Sequence, residues 1–427
     1  MRAKRSMTLA AAVLAVSLTA TACGGAGESG GGGAAAGKLE VFSWWTSGSE
    51  SKALNVMFTK FKAESKDQVV NAAVSGGGGS NAQQALQTRL QGGNPPDSWQ
   101  LHPDQDLASV VEDGSVADIT KLYDDNGWAG KLPDTIAKMV QHDGKFYAVP
   151  VNAHRANVLW TNPKLLRQAG VSWNKSTTVQ TMIADLKKIK AGGKTPLCLG
   201  DKDVFASAQL LESLILGEVG PDGWTKLFSG QMSFDDAKVK SAVTDYVTLL
   251  GLVNKDHSAL TWDQAALNVP QGKCAANLMG DWAYGEMVNK GFKEGTDFGY
   301  LAFPGTSDTF LFVGDAFVKP ADNGPNPGAE DIWLKTMLDP KVQKDFNLAK
   351  GSSPVRTDVS LDGFPPYQKA AAQDLRSLKI VSSVAHHQGA PAEFAQTYLD
   401  AVTALNGDKN IDGFAKKMTA AQKNLTG

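Results

Sequence analysis

Ser43-Trp44-Trp45-Thr46-Ser47-Gly48-Ser49-Glu50 sets two adjacent indoles beside small hydroxyl residues and a carboxylate. The broad apolar faces of two indoles suit the C–H faces of a sugar ring, and a nearby carboxylate accepts hydroxyl hydrogen bonds. Core filling is the competing use of the same rings. The elements that must hold this stretch are legible on either side. Leu39-Glu40-Val41-Phe42 alternates and reads as a short strand. Ala53, Leu54, Met57, Phe58 and Phe61 fall on one face of a helix. The indoles therefore sit on a strand-to-helix loop, with Glu50 in or just before the first helical turn and Ser47 and Ser49 placed to cap it.

Further along, residues 98–102 read as a strand, and alternation puts Gln100 and His102 on one of its faces. Thr261-Trp262-Asp263-Gln264 opens a short helix, and Met279-Gly280-Asp281-Trp282 ends a strand and opens another, with Asp281 as its cap. Residues 311–318 read as a strand carrying Asp315. Lys350-Gly351-Ser352-Ser353-Pro354 is a turn after a helix, and Val384-Ala385-His386-His387 is a late loop in which either imidazole could point inward. A structural ion pair is the competing use of Asp315 and Lys350. Gly77-x-Gly79-x-x-Ala82, with Asp97 beyond it, superficially fits a dinucleotide fingerprint. It is rejected because Asp97 follows Pro95-Pro96 rather than ending a strand. Six His and three Cys show no metal-ligand spacing beyond the neighbours His386-His387, so no metal and no cofactor is expected.

Arg2, Lys4 and Arg5 precede an apolar run from Leu9 to Leu18, the pattern of a signal peptide over residues 1–22 and too short to span a bilayer. Ala20-Thr21-Ala22-Cys23-Gly24 resembles a lipobox, with Ala20 where Leu is usual, so Cys23 is the expected lipidation site. The Gly-rich residues 23–37 read as a flexible tether. The expected location is extracytoplasmic, on the outer face of the cell membrane. Removing residues 1–22 takes the formal charge from −2 to −5, which argues against nucleic acid or an anionic membrane surface as the main partner. Cys198 and Cys274 then lie in an oxidising setting, each on an apolar strand-like run, as one disulfide or two buried thiols.

Strands alternate with helices throughout. Examples are the strand at 68–74 before a helix at 82–91, and helices at 179–190, 206–216 and 235–250 among short strands. That argues for α/β layers with mostly parallel sheets, and 427 residues are enough for two lobes. Ligands of such sheets gather at the C-terminal edges of strands and in the cleft between lobes.

Several separated motifs then converge: SWWTSGSE (43–50), GGGG (76–79), GNPPD (93–97), QLH (100–102), VPVNAHRAN (149–157), GKCAANLMGDW (272–282), FPGT (303–306), KGSSPVR (350–356) and SVAH (383–386). In this order and spacing the chain, over about residues 38–427, resembles the solute-binding proteins of bacterial ABC sugar importers, and within them the glucose-binding proteins. The resemblance implies a two-lobed periplasmic-binding-protein-like α/β fold with the ligand cleft between the lobes. One lobe would comprise 38–150 plus about 315–357, the other 151–314 plus about 358–427. It implies a non-enzymatic, monomeric receptor that gives a monosaccharide, glucose first, to a membrane permease. Carried over by position, the ligand-binding residues are Trp44, Trp45, Glu50, Gln100, His102, Trp262, Trp282, Asp315, Lys350 and His386. Trp45 and Trp282 would sandwich the pyranose, and Trp44 and Trp262 would line the rim. Trp45→Ala or Trp282→Ala should then lose most binding without unfolding.

Two other functions compete. A secreted glycoside hydrolase would need two carboxyl groups about 5–10 Å apart across the scissile bond. Glu50, Asp281 and Asp315 are the candidates. A generic surface protein would show no saturable small-molecule binding.

Overall fold

The computed structural model describes residues 37–75, 80–322 and 327–425. The signal-peptide and Cys23 expectations, and the glycines 76–79, lie outside the described residues. Two mixed sheets organise the rest. In the first, the strands run in the order Lys379–Ser382, Thr309–Val318, Ser98–Leu101, Lys38–Phe42, Gln68–Asn71, and Val149–Arg155 pairs with the free side of Thr309–Val318. The second has the order Gly299–Ala302, Val158–Thr161, Cys274–Leu278, Thr195–Cys198.

The expectation of mostly parallel sheets is corrected here. Lys38–Phe42 pairs in parallel with both neighbours, but Thr309–Val318 runs antiparallel to Ser98–Leu101 and to Val149–Arg155. In the second sheet Val158–Thr161 is antiparallel to both of its neighbours. The reason is connectivity. The chain leaves the first sheet at the Arg155 end of Val149–Arg155 and re-enters along Thr309–Val318 from that same end, Phe312 pairing with Arg155, so the two strands oppose each other. The return pair is irregular between Asp315 and Ala316, where the register with Asn152 and Pro150 shifts.

Each sheet has its own apolar core. One is built from residues between Leu39 and Ala153, from Phe310 and Phe312, and from residues between Ala316 and Leu375. The other is built from residues between Ala156 and Phe303, from Leu311 and Val313, and from residues between Tyr367 and Met418. Phe310 and Phe312 thus feed one core while Leu311 and Val313 feed the other, as side chains alternate along the strand Thr309–Val318.

The helices read from periodicity are present with adjusted ends: Gly48–Glu64, Ser80–Gln91, Val179–Ala191 and Ala237–Leu250. The helix expected at 206–216 begins at Phe205 and continues to Phe228, with a break at Gly220 (φ 69°) just before Pro221. The strand expected over 68–74 covers only Gln68–Asn71, although Ala72 N still donates to Val41 O at 2.9 Å and Val74 N to Ser43 O at 2.8 Å.

Cys198 and Cys274 form a disulfide, with Cα atoms 5.9 Å apart, within the second core. It closes a loop across a sequence separation of 76 residues. Chain-entropy arguments put such a crosslink at roughly 2–4 kcal/mol. The Cys198→Ala/Cys274→Ala double variant should lower the denaturant midpoint accordingly, and reductant should move the wild-type protein but not the variant. Equal midpoints for the two proteins would show that the bond constrains nothing.

Candidate functional site

The two indole-bearing loops meet through one carboxylate. Glu286, buried on the helix Trp282–Asn289, accepts from Ser47 Oγ at 2.9 Å, Ser49 N at 2.6 Å and Ser49 Oγ at 2.6 Å. It therefore sits at the positive end of the helix Gly48–Glu64. Ser47 is the N-cap residue but makes no side-chain cap bond. The expected serine caps are thus replaced by a carboxylate more than 200 residues away in sequence, with both serine hydroxyls turned toward it. The same short helix presents Trp282, so a single contact fixes the Trp44-Trp45 loop relative to Trp282.

Between these elements lies a cavity of about 520 Å³. Trp44, Trp45, Trp262 and Trp282 all line it, together with Glu50, His102, Asp315, Lys350 and His386. Trp45 belongs to the first core and Trp44 packs against that core. Trp282 belongs to the second and Trp262 packs against it. The four indoles thus come from both cores onto one gap.

Their settings differ. Trp45 is 1% exposed, wedged against Phe317 (5.7 Å between ring centroids) and Phe346 (5.2 Å). Trp282 meets Trp262 edge to face at 6.5 Å and lies beside His154 and His386 at 5.2 and 5.3 Å. Its seat depends on Gly280, where an added Cβ would come within 2.2 Å of the indole. Trp44 tilts over the His102 ring at 4.9 Å.

Lys350 ends the helix Pro340–Lys350, and Gly351 turns the chain at φ 89°, pressed so closely on Gly285 that a Cβ there would meet its backbone nitrogen at 2.6 Å. The ammonium donates to Glu50 Oε1 at 2.9 Å and stands 5.5 Å from the centroid of Trp45. The buried ion pair therefore joins Lys350 to Glu50, not to Asp315. Asp315 is held instead by amides: Gln100 Nε2 donates to Oδ1 and Asn152 Nδ2 to Oδ2, both at 2.7 Å. Two neutral donors orient the carboxylate without neutralising its charge.

Gln100 is the one expected ligand-binding residue that does not reach this cavity. It is 1% exposed, and while its Nε2 holds Asp315 its Oε1 accepts from Trp44 N at 3.2 Å. It stands behind the wall and braces two residues in it. The imidazole question is settled by the turn at 383–388. His386 faces this cavity, and His387, with φ 57°, faces a separate one lined also by Trp99 and Asp106.

Asp281 is not the helix cap it was expected to be. It makes no cap bond and instead contacts His154 Nδ1, accepts from Arg155 N at 3.2 Å and from Tyr367 Oη at 3.3 Å. Burial pushes Asp281 well above the usual carboxylate range and holds His154 well below the usual imidazole range. His154 lines the cavity and had not been singled out. Its signal was there: Asn152 and His154 alternate onto one face of the strand Val149–Arg155. Phe205, Lys202, Asp203 and Asn81 also line the cavity, from loops and helix starts that carry no pattern of their own.

The three carboxylates weighed for glycoside hydrolysis are each otherwise engaged or set back. Glu50 is salt-bridged, Asp315 has a donor on each oxygen, and Asp281 lies behind the wall.

Residues 45–344 match the family described as bacterial extracellular solute-binding protein. A probable sugar-binding periplasmic protein of Rhizobium meliloti is 31% identical over 98% of this chain and 99% of its own length. Among solved structures, a chitin oligosaccharide binding protein superposes with a TM-score of 0.80 at 18% identity, over 92% of this chain and 99% of that one. The bacterial solute receptor AcbH, whose description gives an exclusive preference for β-D-galactopyranose, does so with a TM-score of 0.79 at 16% identity, over 91% and 98%. At these identities the structural likeness is one of fold: two lobes of mixed α/β layers.

Proposed function

We propose that this chain, which belongs to the bacterial extracellular solute-binding proteins, binds a hexose, glucose first, between its two lobes and hands it to the permease of an ABC importer. The observation that carries the reading is the union, on one cavity, of indoles from both cores with Glu50, Asp315 and Lys350. Trp45 and Trp282 cover the C–H faces of the pyranose, with Trp44 and Trp262 at its edge. Glu50 and Asp315 accept from hydroxyls, Lys350 donates, and His102 and His386 complete the set. Each charge-assisted bond contributes roughly 1.5–3 kcal/mol, and a sugar lacking its hydroxyl leaves a buried partner unmatched. A cavity of about 520 Å³ falls in the roughly 300–1,000 Å³ range of small-molecule sites.

The lobes, 38–150 with about 315–357 and 151–314 with about 358–427, close by a hinge at Pro150–Asn152 and Asp315. A lipid on Cys23 tethers the monomeric protein to the outer face of the membrane.

One observation favours a second reading. Asn81, Lys202, Asp203 and Asp263 add further polar groups to the cavity lining, and a structural neighbour is named for chitin oligosaccharides. An oligosaccharide would place a second ring there. Calorimetric titration of the purified protein with glucose, galactose, mannose, xylose and their common disaccharides separates the readings. Saturable binding of a monosaccharide, no stronger for disaccharides, supports the first. Binding of disaccharides alone replaces it with the second, and no binding of any sugar overturns both.

A further inference from the structure

We propose that Glu212 is a positioning residue for the sugar site: through Ser383 it fixes the tautomer of His386, and its protonation reverses the hydrogen-bond chain that ends at the ligand. The proposal rests on the sugar-binding reading for its ligand and on geometry for the rest.

Glu212 is fully buried on the helix Phe205–Phe228, outside the cavity. All of its bonds go to the turn that carries His386. Ser383 Oγ donates to Oε1 at 2.7 Å, and Val384 N and Ala385 N donate to Oε2, both at 3.1 Å. Ser383 Oγ is also 2.9 Å from His386 Nδ1. A serine hydroxyl has one proton. When that proton goes to the Glu212 carboxylate, Ser383 Oγ can only accept from His386, so Nδ1 carries the ring proton and Nε2 is left as an acceptor in the cavity wall. A sugar hydroxyl then donates to Nε2.

Adding one proton to Glu212 turns the chain around. The carboxylic acid donates to Ser383 Oγ, Ser383 donates to His386 Nδ1, and the ring proton moves to Nε2 by exchange with solvent. One proton has been gained, His386 stays neutral, and an acceptor has become a donor. The sugar hydroxyl must then give up its role as donor at that contact, so binding is stronger with Glu212 ionised.

The surroundings make the carboxyl the group that changes state. Burial pushes Glu212 up to about 7, against the pull of Ser383 and the two amides. Burial holds His386 well below the ordinary imidazole range, and the facing His102, His387 and His154 lower it further. Tyr398, on the helix Ala392–Asp408, faces Glu212 and donates to Ala208 O at 3.0 Å, and burial raises it well above the ordinary phenol range. Both shifts favour the neutral forms of His386 and Tyr398.

The test is ¹⁵N NMR of the ring nitrogens of His386 in the ligand-free mature protein, assigned with His386→Asn, together with glucose titrations at pH 8.5 and 5.5. Glu212→Gln is the isosteric probe: its amide oxygen keeps the two backbone donors while its NH₂ must donate to Ser383, fixing the reversed chain. Wild-type His386 is expected as the Nδ1–H tautomer at pH 8.5 and the Nε2–H tautomer at pH 5.5, and Glu212→Gln as Nε2–H at both. Glucose affinity should fall about tenfold between the two pH values in wild type, equivalent to one weakened hydrogen bond, and stay at the weaker level in Glu212→Gln. A His386 tautomer indifferent to pH and to Glu212→Gln overturns the relay. The predicted tautomers with a pH-independent affinity overturn its connection to the ligand. If glucose binds neither protein, the sugar reading fails while the tautomer measurement still decides the relay.

Discussion

Trp282→Ala is expected to weaken hexose binding roughly 30- to 150-fold while the protein stays folded. Stacking one face of a pyranose on an indole contributes roughly 2–3 kcal/mol from apolar area and ring geometry, and each 1.4 kcal/mol is about a decade in affinity. Trp282 lies on the cavity wall among His154, Trp262 and His386, so truncation widens an existing opening rather than creating a closed void. Trp45 is the informative contrast. It is 1% exposed and packed on Phe317 and Phe346, so Trp45→Ala should cost roughly 3–5 kcal/mol of global stability as well as affinity. Of the two truncations, Trp282→Ala is therefore the one expected to spare the fold. Gly280→Ala gives an independent check, because the new Cβ would collide with the Trp282 ring and should reproduce much of the loss without removing the indole. Thermal unfolding and calorimetry on the three variants separate the outcomes. Undiminished affinity in folded Trp282→Ala would remove the ring from the site.

How far the site could be read from residue order depends on what holds each group. Trp44, Trp45 and Glu50 were placed by local pattern, an alternating strand and a 3.6-residue helix with a short loop between, and the structure has that arrangement at Lys38–Phe42 and Gly48–Glu64. Trp262 likewise opens the short helix expected there, and the structure adds a capping contact, Thr261 N donating to Gln264 Oε1 at 3.1 Å. Asp281 was misjudged because an Asp before a helix has a strong local explanation, and only the tertiary fold brings His154 and Tyr367 to it. The serine caps failed for the same reason, since Glu286 comes from a distant segment. The strand expected over 98–102 ends at Leu101, so His102 lies just beyond it, while Gln100 stays within it and donates its amide to Asp315 of the return strand Thr309–Val318. Antiparallel pairing was invisible because strand direction is a property of connections, which strand composition does not record. Glu212 sits in the apolar run Leu210-Leu211-Glu212-Ser213-Leu214-Ile215, where an acid has no local partner, and its partners are all more than 170 residues away.

Asp315→Asn should weaken hexose binding roughly 10- to 150-fold, the equivalent of about 1.5–3 kcal/mol for one charge-assisted bond, and should also destabilise the protein. The second effect follows from the donors around the carboxylate. Gln100 Nε2 and Asn152 Nδ2 each donate to one oxygen, and Asn152 Oδ1 in turn accepts from Asp315 N at 2.9 Å. An asparagine at 315 has one acceptor for these two donors, so its NH₂ must oppose an NH₂. Turning Asn152 over would relieve that clash but forfeit the bond from the backbone N–H. Either way one buried pair is mismatched, at roughly 1–3 kcal/mol. Affinity alone therefore does not prove contact with the sugar, because a displaced Trp44 or His102 could lower it as well. A cycle with monodeoxyglucoses does. If Asp315 accepts from one hydroxyl, the deoxy sugar lacking that group loses affinity for wild type but little more for Asp315→Asn, whereas the other deoxy sugars lose equally in both proteins. Equal losses for every deoxy sugar would mean that Asp315 braces the wall without reading the ligand, and hydroxyl recognition would then fall to Glu50, Lys350 and the imidazoles.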